Sequence, residues 1–152
     1  MKKVTLAIAV AALAVFSFSS CKKKDDNNGG GATGRTAQLV GTWKQTYSGS
    51  DDNGNGSWDA TEKAATPATG APTLTFASNG TGSASANLLG VPLTGTLAWN
   101  FFNNENGVKV TITIPNLGSD TYYYKILSFS STEIIVADTT TTPIDFEQYI
   151  KQ

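Results

Sequence analysis

The residues best suited to chemistry in this chain stand together at Asp51-Asp52-Asn53-Gly54-Asn55-Gly56-Ser57-Trp58-Asp59-Ala60-Thr61-Glu62. They fit the calcium-loop pattern D-x-[DN]-x-[DN]-G-x5-E at every specified position. Calcium takes several hard oxygens gathered around a tight turn. Asp51, Asn53, Asn55 and Glu62 can offer side-chain oxygens, Ser57 a backbone carbonyl, and Asp59 an oxygen directly or through water. Gly56 permits the sharp bend. The expected cofactor is therefore Ca²⁺. The bland alternative is a solvated Asp/Asn/Gly turn, a common surface feature.

Other chemistry is thin. Histidine is absent, which removes Ser-His-Asp and Cys-His catalysis and any His-bearing zinc site. Asp145 and Glu147 alternate along one run and read as solvated on its outer face. Nothing marks the two carboxylates across a cleft that glycoside hydrolysis needs. No enzyme is expected. The single cysteine, Cys21, follows Ser19-Ser20 directly. That sequence resembles a lipobox, with Phe18 where a leucine-like residue is usual. The resemblance implies a diacylglyceryl group on Cys21 and cleavage before it. The plainer alternative is a secretory signal with a stray thiol.

The segments that position these residues divide the chain into three. Met1-Lys2-Lys3 is a basic start and Val4–Phe18 an apolar run, shorter than a bilayer span of about 20 residues and shaped like a cleaved signal. Residues 1–20 are read as a lipoprotein signal peptide. Residues 21–35, with Lys22-Lys23-Lys24-Asp25-Asp26 and Gly29-Gly30-Gly31, cannot build a core and read as a flexible tether. From Cys21 to Gly34 such a tether could extend to about 45–50 Å. The signal and lipobox imply a cell-envelope, outer-membrane lipoprotein on the periplasmic or the surface face. Residues 36–152 are read as the folded domain. Beyond Thr36 the only basic residues are Lys44, Lys63, Lys109, Lys125 and Lys151, so the domain is acidic and nucleic acid is excluded as a partner.

Within the domain, short β runs alternate with turn residues. They cover residues 39–48, 73–76, 81–87, 96–102, 108–114, 121–129, 133–138 and 144–150. Val108, Val110, Ile112 and Ile114 point one way, and Lys109, Thr111 and Thr113 the other, the clearest strand pattern in the chain. Gly41, Trp43, Gln45 and Tyr47 share a face of the first run. Ile144, Phe146 and Ile150 share one face of the last, against Asp145, Glu147 and Tyr149. All five prolines fall between the runs, and no helix is expected. An all-β, eight-stranded antiparallel up-and-down barrel is the simplest closure; a β-sandwich is the alternative.

Two resemblances extend this reading. Gly41-Thr42-Trp43 on the first strand resembles the Gly-x-Trp signature of lipocalins. The stretch Tyr124–Val136 is similar to the strand, Ser/Thr turn, strand of small bacterial lipocalin-like lipoproteins. Together they cover about residues 38–150 and imply a lipocalin-like (calycin) barrel. By the same analogy the long loop after the first strand would lie across the open end as a lid. The interior aromatics Trp43, Tyr47, Phe76, Trp99, Phe101 and Phe146, with Tyr122 and Tyr124, are then candidates to line a pocket for a small apolar ligand or simply to fill the barrel. The acidic loop also resembles that of helix–loop–helix calcium proteins, with Trp58 at their usual apolar position, although here a strand precedes it. The membrane, through the lipid on Cys21, is the one partner the sequence itself implies. Cys21→Ser is expected to leave an unlipidated precursor; fatty-acid labelling and membrane fractionation unchanged from wild type would count against the anchor.

Overall fold

The computed structural model describes residues 34–152. Residues 1–33, with Cys21 and nearly all of the segments read above as signal peptide and tether, lie outside the described residues. A short helix, α1 (Gly34–Leu39), leads into β1 (Gly41–Ser50). The two-residue β2 (Ala64–Ala65) follows the acidic loop, and then come β3 (Thr73–Phe76), β4 (Thr81–Leu88), β5 (Val91–Phe102) and β6 (Gly107–Ile114). The chain ends with β7 (Gly118–Phe129), β8 (Glu133–Asp138) and β9 (Asp145–Lys151).

Every strand from β3 to β9 pairs antiparallel with its successor, and β1 pairs with both β3 and β9. The sheet therefore closes on itself as an eight-stranded antiparallel barrel, with β2 an extra strip on the upper part of β1. First and last strands in one continuous sheet exclude the sandwich. Closure removes the two outer strands on which an open sheet would end.

The inward positions follow from alternation along each strand. Trp43, Leu74, Phe76, Leu97, Trp99, Val108, Val110, Tyr124, Ile134, Val136 and Tyr149 form one buried cluster with Leu39. Its aromatic centre packs edge to face: Phe76 on Trp99 at 5.6 Å and 87°, and Trp99 on Phe101 at 5.6 Å and 88°. Such pairs contribute about 0.5–1.5 kcal/mol beyond the area they bury.

One end of the barrel is shut by α1. A helix of six residues cannot stand on propensity alone, and its contacts explain it. The Trp43 indole N–H donates to the Leu39 carbonyl at 2.7 Å. Lys151 donates to the Gln38 carbonyl at 2.7 Å, with its ammonium 5.2 Å from the Trp43 ring centre. Arg35 donates to the Glu105 carbonyl across the end. Gly41 has φ +131°, and a Cβ there would stand 2.7 Å from the Lys151 stem. Glycine in the Gly-x-Trp triplet is thus what lets helix, strand and lysine meet.

The structure departs from the sequence expectation in four places. Leu39 ends α1 instead of starting a strand, and is buried there. Pro92 lies inside β5, paired with Asn87; β5 meets β6 only from Thr96 onward, so the other edge at Pro92 requires no donor. A bulge between Gln45 and Tyr47 inserts one residue and reverses the alternation. Tyr47 therefore turns outward, opposite Gln148, and is 40% exposed. On β9 the two faces are divided as expected but assigned the wrong way round: Tyr149 lies in the core cluster, and Glu147 shares its inward face.

Candidate functional site

The acidic loop begins where β1 ends. Asp51 is buried and accepts from the backbone N–H of Asn55 at 3.0 Å and of Gly56 at 2.8 Å, one on each carboxylate oxygen. The Asn53 side-chain oxygen accepts from Asn55 N–H at 2.9 Å, and that of Asn55 from Ser57 N–H at 2.7 Å. The side-chain amides of Asn53 and Asn55 both donate to Asp59, at 3.0 and 2.8 Å. Glu62 reaches back to accept from Asp59 N–H at 3.0 Å and Asn53 N–H at 3.4 Å. The six residues read as ligands are thus drawn together in one small ring, although Ser57 takes part only through its backbone. Among the described residues no group of three or more His, Cys, Asp or Glu is arranged to hold a metal ion. The carboxylates of Asp51, Asp59 and Glu62 are bonded to amides instead. Each retains further lone pairs that a cation could use.

The loop does not form the expected lid. Trp58 stacks on Phe146 with ring centres 5.7 Å apart and planes at 13°, and Lys63 lies over the other part of the indole, 4.7 Å from its centre. Phe146 pairs with Gly49 and Ala137, on the outward row of the barrel wall. A Cβ on Gly49 would fall 1.8 Å from the Glu62 carbonyl oxygen and 2.9 Å from the Trp58 ring nitrogen. Gly49 is glycine because the loop returns directly onto it. The loop is therefore fastened to the outside of the barrel.

The mouth opposite α1 holds a cavity of ≈160 Å³. Leu74, Ala84, Ala86, Leu93, Ile112 and Ile114 supply an apolar wall, Leu117 its lip, and Asp120 and Tyr122 the remaining side. From the long loop only its last residue, Pro72, touches it. The aromatics expected to line a pocket take other places. Trp43 and Phe76 border a residual void of ≈20 Å³ at the closed end, Trp99 lies in the core with the part-buried Phe101 against it, and Tyr47 and Phe146 stand on the outer wall. The cavity exists because β4 presents Ala84 and Ala86 inward, with Gly95 of β5 opposite Ala84, and that weak signal was available in the run Thr81–Asn87.

Beside the cavity the inner wall becomes acidic. Glu147 is half-buried and accepts from the Tyr149 hydroxyl at 2.5 Å, with Tyr124 as a second hydrogen-bond partner. Tyr122 stacks on Tyr124 at 5.8 Å and 11°. Asp138 is buried and accepts from Thr140 N–H and hydroxyl at 2.8 and 2.6 Å; Asp145 accepts from the Ser50 hydroxyl at 2.5 Å. Burial raises the Tyr122 hydroxyl pKa, helped by the charges of Asp120, Glu147 and Asp138. Tyr124 and Tyr149 are pushed well up, by burial first and the Glu147 charge next, and remain protonated donors.

No protein-family model and no curated protein sequence matches the chain. Solved structures similar to it include the following two. One is a lipocalin-like protein from Bacteroides uniformis, 13% identical with a TM-score of 0.49, covering 76% of this chain and 99% of that one. The other is a redesigned β-barrel, 18% identical with a TM-score of 0.47, covering 77% of this chain and 93% of that one.

Burial also raises the Glu147 pKa above the ordinary carboxylate value; the hydrogen bonds from Tyr149 and Tyr124 pull it down, and Asp138 and Asp145 push it up again. The folded state then holds the proton more tightly than the unfolded one. Stability is fullest below the unfolded pKa and is lost as pH rises through the folded one. Glu147→Gln is expected to remove this fall: between about pH 4 and pH 8 its urea midpoint should drop less than that of wild type. Equal slopes in the two proteins would show that Glu147 carries no such penalty.

Proposed function

We propose that this chain is a lipid-anchored envelope lipoprotein whose lipocalin-like barrel binds a small apolar molecule at its mouth and calcium in the outer 51–62 loop. The observation that carries the ligand reading is the mouth cavity. Its ≈160 Å³ is close to the roughly 150 Å³ of an apolar cavity able to take up benzene. That size suits a single ring or a short chain and is small for a drug-sized molecule. Ala86→Phe would fill the cavity from a wall position near the rim. Ethylbenzene is expected to perturb the NMR signals of Tyr122 and Ile112 in wild type and to leave them unmoved in Ala86→Phe. Identical responses would end the ligand reading.

A structural or interaction module is the second reading, and one feature favours it. Leu88, Leu89, Val91 and Leu117 stand 61%, 97%, 58% and 70% exposed on the hairpin tips at the mouth. Apolar tips grouped in this way suit contact with another surface.

The calcium reading is supported by donor chemistry and by the inward turn of the loop's side chains. Two of its positions are asparagine, which lowers the site's charge, and the loop's neighbours are strands, with no helix pair. Binding is therefore expected at the weak end, with a Kd of roughly 10⁻⁵–10⁻³ M. At ten times Kd the ion would add only about 1.4 kcal/mol to stability. The expected effect is local: protection of residues 49–65 from protease and a change in Trp58 fluorescence, both lost in Asp51→Ala and Glu62→Gln. No heat in calorimetry at millimolar Ca²⁺, with loop proteolysis indifferent to EDTA, would leave a solvated turn.

A further inference from the structure

The inner wall of the mouth has two unlike halves. Along β3 to β6 it is apolar: Leu74, Ala84, Leu93 and Ile112 face the cavity. Along β7 to β9 its inward positions are Asp120, Tyr122, Asp138, Asp145 and Glu147. Register places them there, since Asp120 pairs with inward Ile112, Tyr122 with inward Val110, and Asp138 with both inward Tyr124 and Asp145.

No basic residue of the described part answers these carboxylates. Lys44 pairs with Ile150 on the outer face, Lys125 with Ala137 on the outer face, and Lys109 lies over the outward Tyr123 ring. Lys63 covers Trp58 outside the barrel, while Arg35 and Lys151 serve the closed end. Carboxylates held in a partly dry wall without a cation are costly unless something pairs with them. Tyrosine hydroxyls and threonines satisfy some of their lone pairs here but none of their charge. The ring faces of the stacked Tyr122 and Tyr124 are also sites that attract a cation.

We infer that the mouth cavity selects a small amphipathic cation, an apolar ring or short chain ending in a primary ammonium, with the apolar part against β3–β6 and the ammonium between Asp120, Tyr122 and Glu147. This deepens the ligand-binding reading and rests on it. The apolar half sets the size, and the acidic half sets the sign. An anionic ligand of the same shape, such as a fatty acid, would put its carboxylate against Asp120 and be rejected.

Three probes of one shape test this: 2-phenylethylamine, neutral ethylbenzene and anionic 3-phenylpropionate, titrated into the folded protein and followed by NMR at Tyr122 and Ile112. The amine is expected to bind about tenfold or more tighter than ethylbenzene, the scale of one close, partly desolvated charge pair. The anion should bind more weakly than either. Asp120→Asn, at an exposed position outside the core cluster, and Glu147→Gln should each lower the ratio of amine to ethylbenzene affinity toward one. Equal affinity for amine and hydrocarbon overturns the charge selection while leaving the ligand-binding barrel standing. Amine binding that survives Ala86→Phe would place it on the acidic surface and overturn the inference too. Failure of all three probes removes the binding barrel itself, and the inference with it.

Discussion

The pairing of β1 with β9, from Trp43 opposite Lys151 to Ser50 opposite Asp145, is the contact on which the remaining architecture depends. It joins the two ends of the domain, turns a meander into a closed wall and so creates an inside. It is also unequal to the pairing on the other edge of β1, where β3 is engaged only from Gly41 to Lys44. Above Lys44 that edge is left to the two residues of β2 and to the return of the chain through Thr66, whose N–H donates to the Thr46 carbonyl at 2.9 Å. The long segment after β1 is thus partly wall. It patches the place where β3 is too short to reach.

The bulge at Gln45–Tyr47 belongs to the same contact. With strict alternation Tyr47 would point inward and Ser48 outward. One inserted residue exchanges them, so that small Ser48 stands opposite Glu147 inside and Gly49 opposite Phe146 outside. A bulky ring inside at that level would occupy space near the acidic wall. A side chain at Gly49 outside would collide with the Glu62 carbonyl. The bulge, the serine and the glycine are three parts of one local solution.

This explains what was legible in the chain and what was not. β6 was readable because one face is packed on the core and the other is wetter, so that hydrophobicity alternates with burial. β9 misled because both its faces are covered: Tyr149 by the core, Phe146 by Trp58 from a loop that precedes it by most of the domain. Alternation told which residues share a face but carried no sign for which face is inner. The bulge left no mark in residue type. The short helix was hidden because its stability comes from Trp43, Lys151 and Arg35 and hardly at all from its own sequence. The acidic loop was legible as an Asp/Asn/Gly turn whose side chains bond within the loop, since spacing alone arranges it. Its place on the outer wall was not, since that depends on a stacking contact with a distant strand. The cavity was not legible because large aromatics mark where volume is filled, whereas space is left by Ala84, Ala86 and Gly95.

Those two features, an acidic ring outside and an acidic wall inside, sit on opposite faces of the same pair of strands. Phe146 holds the loop and its neighbour Glu147 faces the barrel interior; Gly49 receives the loop and its neighbour Ser48 lies across from Glu147. Period-two alternation makes this unavoidable, because adjacent residues of a strand must serve opposite faces. The geometry also explains how Glu147 is tolerated. Its strand is pressed from outside by the Trp58–Phe146 stack and held on both edges by β1 and β8, so the carboxylate cannot leave the inner wall without undoing the closure. Tyr149 and Tyr124 then supply the hydrogen bonds that water would have made. The half-buried carboxylate is held in place by the strand pairing that closes the barrel, and the outer loop packs against that pairing.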